Sequence, residues 1–452
     1  MNKLKEVLVG YLPDERPSLG KLVLFSLQHI MVMFPATVLV ALLTGFHIST
    51  TIFASGFATL CFILVTKGKI PLYYGSSFSY IAAIVGITGA EFGVPASDAL
   101  IGQAQFGIIM SGLVSIAAGF LIDKFGANKI EKVLPPVVTG PIAMIIGLSL
   151  AGSAMQQASG FSGSNPSDLG GYWAVALITL ISILLSTVIF KKGVLSQLPI
   201  LFGILIGYVF AMILDFGFGY NLLQFQDLFS GAVISAPHFT LPVPSWTAVI
   251  AIMPIALATI PESTAHLYQL DLYVNKLADQ KGKPHYDIEN RLGQNLIGDG
   301  VGDMVSALIG GPAGTNYGEN ISTMAITKNF SVFVLIGAAI ITMVLAFISP
   351  IANLLYTIPA PVIGGASIYL FGVIGAQGIA ILIEKKVDMF NSKNLGIIAV
   401  ILIIGLGGHY AFPNGNIPFL NLELPAIATA AIVGIVLHLV LNLAERFSTK
   451  SE

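Results

Sequence analysis

Apolar residues run through this chain in long blocks, and short polar loops separate them. Fourteen blocks can be read, centred near residues 33, 57, 82, 113, 143, 181, 205, 255, 301, 322, 340, 370, 402 and 434. Most approach the roughly 20 residues that an α-helix needs to cross a bilayer. The expected fold is therefore all-α and polytopic, with fourteen transmembrane segments. Two blocks open differently. The third begins PLYYGSSFSYIAAIVG and the tenth GPAGTNYGENISTMAIT, with Gly, hydroxyl and aromatic residues ahead of the helical pattern. Each predicts a short extended stretch leading into a half-helix. They occupy matching places in two halves of seven, and an odd number of spans turns the second half over relative to the first. Matched, interrupted segments in inverted repeats point to a transporter's binding site. Gly75 and Gly318 would also suit close helix packing alone, but their matched placement favours the site.

The basic residues orient these spans. The chain has 21 Lys and Arg, and on a fourteen-span count every one falls on one side. They lie before segment 1 (Lys3, Lys5, Arg16, Lys21) and in the loops after segments 2, 4, 6, 8, 10, 12 and 14. The loops around Gly160 to Gly171 and Gly217 to Trp246 hold none. The positive-inside rule places the basic side, with both termini, in the cytoplasm. Merging segment 3 or 10 into a neighbour would scatter basic loops over both sides. Composition narrows the class further. Charged residues make up 10% of the chain and hydrophobic ones 55%, against about 25% charged in soluble domains. No loop is long enough for a separate soluble domain. A net charge of −2 without a basic patch excludes a nucleic-acid partner. The lone Cys61 excludes disulfides and cysteine metal sites, and the polar N-terminus is no cleavable signal peptide.

Within the apolar blocks sit ionisable residues that lipid makes expensive, the usual mark of a substrate or proton path. Glu262 and His266, four apart after Pro261, share one helix face in the eighth segment. Pro261 should kink that helix and free a carbonyl. Burial moves a carboxyl and an imidazole toward physiological pH from opposite sides, so this pair suits proton pickup and release. Glu319 opens the tenth half-helix, where a carboxylate binds ligand or simply caps the dipole. Asp299 and Asp303 in LIGDGVGDMVSAL are also four apart. Asp299 suits a supporting hydrogen bond, and Asp303 either polar packing or a wet crevice. His29, beside Gln28, reads as a satisfied interior histidine or a ligand, and His438 as structural. No Walker loop or HExxH motif is present, so the chain is expected to be neither an enzyme nor ATP-driven. A proton-coupled carrier of a small polar molecule fits best, with no cofactor beyond the co-transported H⁺ and no metal.

Several stretches taken together resemble the nucleobase–cation symporter-2 family, and most of all its bacterial uracil permeases. They are SLQHIMVMFPATVLV, KGKIPLYYGSSFSYI, LPPVVTGPIAMIIGL, TNYGENISTMAIT and IPAPVIGGASIYLFGVIGAQG. The resemblance implies a core of segments 1–4 (21–125) and 8–11 (245–350) after a cytoplasmic segment, 1–20. It implies a gate of segments 5–7 (133–215) and 12–14 (355–445), and a homodimer through the gate. Carried over, Glu262 and Glu319 would grip the base by its ring N–H and carbonyl edge. Backbone N–H groups at Phe78 and Gly318 would reach ring carbonyls, with Ser77 and Tyr317 alongside and the Phe78 ring packed on the base. His266 would couple the proton, Asp299 and Asn320 would support, and Gln28 or His29 would tune the site. Glu319 favours uracil, since xanthine and urate carriers of the family have Gln there. Three positions depart from the family pattern: Ser322 for Gly, Ser263 for His, and Phe371 for Tyr with Tyr369 two residues earlier. The implied function is uracil:proton symport through a multi-pass protein of the cell membrane. A purine or xanthine permease on the same frame is the alternative. An anion exchanger shares the architecture, but two acids would repel its ligand and no intramembrane Lys or Arg would attract it.

Overall fold

In the computed structural model, residues 10–126, 135–160, 169–190, 198–223, 232–419 and 422–448 are described. The basic residues Lys3, Lys5, Lys129, Lys132, Lys191, Lys192 and Lys450, and the boundary at 133, lie outside them. The chain begins with α1 (Leu19–Thr44), α2 (Ile48–Val65), α3 (Ile81–Thr88) and α4 (Asp98–Phe125). Then come α5 (Pro136–Ser149), α6 (Ala151–Ser159), α7 (Leu169–Ile189) and α8 (Pro199–Phe218). The second half holds α9 (Trp246–Ile252), α10 (Ala256–Lys281), α11 (Leu292–Leu308), α12 (Gly318–Thr327) and α13 (Val332–Leu345). The chain closes with α14 (Ser349–Tyr356), α15 (Ala360–Glu384), α16 (Ser392–Leu402), α17 (Gly408–Ala411) and α18 (Ala426–Ser448). Among the described residues, ten helical stretches are long and apolar enough to cross a membrane, and Phe78–Thr88 and Val332–Leu345 are shorter apolar ones. The chain is a multi-pass membrane protein.

Local sequence sets the ends. α4 carries Asp98 in its first turn and Lys124 in its last, each matching the dipole at its end. Pro136 and Pro199 stand at the first turn of α5 and α8, where a missing N–H costs nothing. The helix runs unbroken through Pro261. The interruption lies earlier, in a 3₁₀ turn, Met253–Ile255, that holds Pro254 and separates α9 from α10.

Two short strands lie inside this helical body. β1 (Tyr74–Ser76) pairs antiparallel with β2 (Gly314–Asn316), with Gly75 opposite Thr315. Backbone bonds from Ser77 N to the Ala313 carbonyl and from Tyr317 N to the Tyr73 carbonyl, both 3.0 Å, extend the pairing at each end. Because the strands are antiparallel, α3 and α12 leave their junction in opposite directions. A further hairpin, β3 (Asn416–Phe419) with β4 (Leu422–Pro425), precedes α18. Strands of four residues holding Pro418 leave no hydropathy signal, which is why the apolar blocks do not announce it.

Packing divides the helices into two groups. α4 lies along α11, and α2 contacts α11 and α13, while α15 contacts α5, α6 and α7, and α7 pairs with α8. The α4–α11 crossing is close because glycine meets glycine. A Cβ on Gly112 would stand 2.6 Å from the Gly300 carbonyl oxygen, and one on Gly119 equally close to that of Gly293. Small residues are what let membrane helices approach so far. This crossing fixes α11, and with it Asp299 and Asp303.

Candidate functional site

The strand pair is the floor of the site. Tyr317 roofs Gly75, since a Cβ at 75 would collide with the Tyr317 ring. The Tyr317 hydroxyl donates to the Ser76 carbonyl and pairs with Thr37 Oγ1, both at 3.0 Å. Ser77 is buried and caps the 3₁₀ turn Phe78–Tyr80, accepting from Ser79 N at 3.3 Å. The side chains of Tyr317 and Ser77 are thus committed to the scaffold. Phe78 is half-buried at the start of that turn, ahead of α3. Gly318 begins α12. The first N–H groups of a helix have no intrahelical acceptor, so two positive helix ends meet at one place.

α10 runs past this junction. Glu262 and His266 share a face and both are half-buried. Ser79 Oγ donates to Glu262 Oε2 at 3.4 Å. His266 lies so close to the start of α12 that a Cβ at Gly318 would stand 2.8 Å from its Nε2. Glu319, also half-buried, follows Gly318 in the first turn of α12. It lines a cavity of about 240 Å³ with Tyr369, Ser322 and Pro35, smaller than the roughly 300–1,000 Å³ of drug-sized pockets. A second cavity of about 600 Å³ is lined by Ile260, Pro261 and Thr264, the neighbours of Glu262, and by Glu384 and Lys385 of the other helix group. The structure therefore brings Glu262, His266, Glu319, Phe78 and Gly318 together.

The remaining candidates form the layer beneath. Asp299 accepts a hydrogen bond from Ser263, whose Oγ also accepts from Asn295 (2.7 Å) and Asn316 (3.3 Å). Asp303 accepts from the Tyr74 hydroxyl at 2.5 Å and from Gly314 N at 2.8 Å, which ties α11 to both strands. Of the two readings of Asp303, the polar contact is the one found. His29 is buried, and its Nδ1 accepts from Asn320 Nδ2 at 3.0 Å. Gln28 is buried one residue earlier. His438 is buried, and Asn442 lies 2.8 Å from its Nε2. Sequence reasoning missed Ser79, Asn295, Asn316 and Tyr74, which are short-range partners of recognised residues but distant from them in the chain. It also treated Ser263 only as a lost imidazole, whereas its hydroxyl is the hub of a four-residue network. Phe371 is buried in apolar packing, and Tyr369 lines the cavity.

Three comparisons bear on this arrangement. The model of the Permease family matches residues 20–413. The uracil permease of Bacillus caldolyticus is 37% identical over 434 residues, covering 95% of this chain and 94% of that protein. The uracil permease of Bacillus subtilis (strain 168) is 38% identical over 430 residues, covering 93% and 92%. Among solved structures, SLC26A9 superposes with a TM-score of 0.65 at 14% identity, over 94% of this chain. The chain spans 65% of the length of that protein, and the likeness concerns the fold alone.

Proposed function

The chain belongs to the Permease family, and from that premise we propose that it imports a nucleobase, uracil before any other, together with a proton. It is a carrier and not an enzyme, as its relatives are named permeases. The observation that carries the reading is the meeting of two carboxylates and an imidazole at the junction of two half-helix N-termini. Glu262 and Glu319 offer acceptors to ring N–H donors, and the helix ends offer N–H groups to ring carbonyls. A single-ring base presents both kinds of edge at once. Phe78 supplies an apolar face for it, and Tyr369 closes the cavity from the opposite helix group.

His266 is the group we assign to coupling. A charged imidazole against the positive end of α12 is repelled, and a proton held by Glu262 removes charge from beside Glu319. Substrate that favours one protonation state is in turn favoured by it. We read the molecule as fourteen segments in two inverted halves with both termini cytoplasmic. In that reading α1–α4 and α9–α13 are the core, and α5–α8 and α15–α18 are the gate. The antiparallel β1–β2 pair and the two packing groups support the division. Alternating access follows from motion of one group against the other. The exposed apolar side chains of α7 and α8, such as Leu185, Val188 and Val209, suit lipid and a homodimer contact through the gate.

Uptake of labelled uracil into proteoliposomes with an alkaline interior tests the proposal. Accumulation that follows the pH gradient and ignores excess xanthine is the expected result. Uptake that xanthine abolishes would move the substrate to purines. Folded protein that takes up neither base would overturn the reading.

A further inference from the structure

We propose that His47, Asp98 and His238 form a binding site for a divalent transition metal of the Zn²⁺ class, away from the substrate site. No spacing rule links these residues, since they lie far apart in the sequence. The fold brings them together from three elements. His47 caps α2, and its carbonyl accepts from Thr51 N at 2.9 Å. Asp98 is the first residue of α4, and His238 lies in the loop before α9. All three sit at the ends of α2 and α4 opposite Lys67 and Lys124, on the face without basic loops.

One ligand atom from each residue lies within 4.8 Å of the others. His238 Nε2 is 3.0 Å from both Asp98 carboxylate oxygens, and His47 Nε2 is 3.9 Å from Asp98 Oδ1. Donors in a tetrahedral zinc site with bonds of roughly 2.0–2.2 Å stand about 3.3–3.6 Å apart, so small side-chain rotations suffice. The two imidazoles face each other, with centroids 4.3 Å apart. His47 Nε2 is buried and has no hydrogen-bond partner among the described residues. An orphaned nitrogen beside a carboxylate and a second imidazole gives one cation three donors from three elements. Two imidazoles with one carboxylate select Zn²⁺ over Mg²⁺ or Ca²⁺, and the half-exposed His238 side leaves the fourth position to water.

The loop that carries His238 is already seated. Thr50 Oγ1 donates to the His238 carbonyl at 2.7 Å, and Gln105 Nε2 donates to the Thr240 carbonyl at 3.0 Å. A bound ion would clamp this loop to α2 and α4, and so stabilise the folded state by mass action. The test is the melting temperature and Zn²⁺ affinity of the purified full chain, titrated with ZnCl₂, MgCl₂ or CaCl₂. His238→Gln and His47→Gln serve as variants, and the exposure of His238 makes the first safe for folding. The expected result is a saturable rise with Zn²⁺ alone, one ion per chain. Each variant should weaken binding by at least the roughly 10–100-fold that loss of an outer partner causes. A Zn²⁺ response no larger than that to Mg²⁺, or one that persists unchanged in His238→Gln, would overturn the site.

Discussion

Two pairs of carboxylates lie on the helices around the strand pair, and their surroundings differ in kind. Glu262 and Glu319 are half-buried, Glu319 lining one cavity and the neighbours of Glu262 another, and among the described residues their one hydrogen bond from a side chain to a carboxylate is a long contact from Ser79. Asp299 and Asp303 are buried on α11 and held by Ser263, Tyr74 and the backbone of Gly314. Asp299 keeps one oxygen, Oδ1, without a partner among the described residues, but Asp303 has its donors, and a buried carboxylate so held is scaffold. One that faces open space with spare acceptor capacity is equipped for a ligand. Spacing marked the two helices alike, since Glu262 with His266 and Asp299 with Asp303 are both i, i+4. What separates Glu262 from Asp303 is the set of donors each already has, one long contact against two short ones.

The contrast is broken most directly at Glu262. Glu262→Gln should leave the protein folded and weaken uracil binding and uptake on the order of 100-fold, as loss of about 3 kcal/mol of charge-assisted hydrogen bonding implies. Uptake near the wild-type level would remove Glu262 from the site. Asp303 should behave in the opposite way. Asp303→Leu orphans the Tyr74 hydroxyl and Gly314 N, at about 1–3 kcal/mol for each buried group. Its melting temperature should fall markedly, while Asp303→Asn, which keeps an acceptor, stays near wild type in both stability and binding. A stable Asp303→Leu would show that α11 is not tied to the strands as described.

His266→Leu sharpens the comparison within the ligand side. Accumulation should lose its dependence on the pH gradient, while equilibrium uracil binding falls only several-fold. An unchanged pH dependence in transport assays would make His266 a packing residue. The smallest effect is expected far from both pairs. Glu15 accepts from Lys281 and Lys283, and although burial alone would raise its carboxyl, those bonds hold it at about 2 against an ordinary 4.5. A carboxyl lowered by folding stabilises the fold fully above its ordinary value, and that contribution is lost as pH falls from about 4.5 toward 2. Glu15→Gln should lower the melting temperature slightly at neutral pH and flatten its fall on acidification. Identical acid profiles would dismiss the contact.

Much of this was legible beforehand, for reasons that can be named. The spans showed because lipid demands long apolar runs, and the two extended stretches because Gly and hydroxyl residues replace helix formers at matched places. Glu262, His266 and Glu319 stood out because charge in an apolar run is rare. The supporting layer was hidden, since Ser263, Asn295 and Asn316 are ordinary residues in a helix or strand until the fold sets them around Asp299. The His47–Asp98–His238 cluster was hidden for the same reason, because α2, α4 and a loop must first be brought together. Resemblance identified the departure at Phe371, and only the packing put Tyr369 at the cavity.

The most direct test is equilibrium uracil binding to purified wild type, Glu262→Gln and Asp303→Asn, measured side by side by calorimetry. The account expects wild type and Asp303→Asn to bind alike and Glu262→Gln to lose binding while melting normally. Equal binding by wild type and Glu262→Gln, or loss of binding confined to Asp303→Asn, would contradict it.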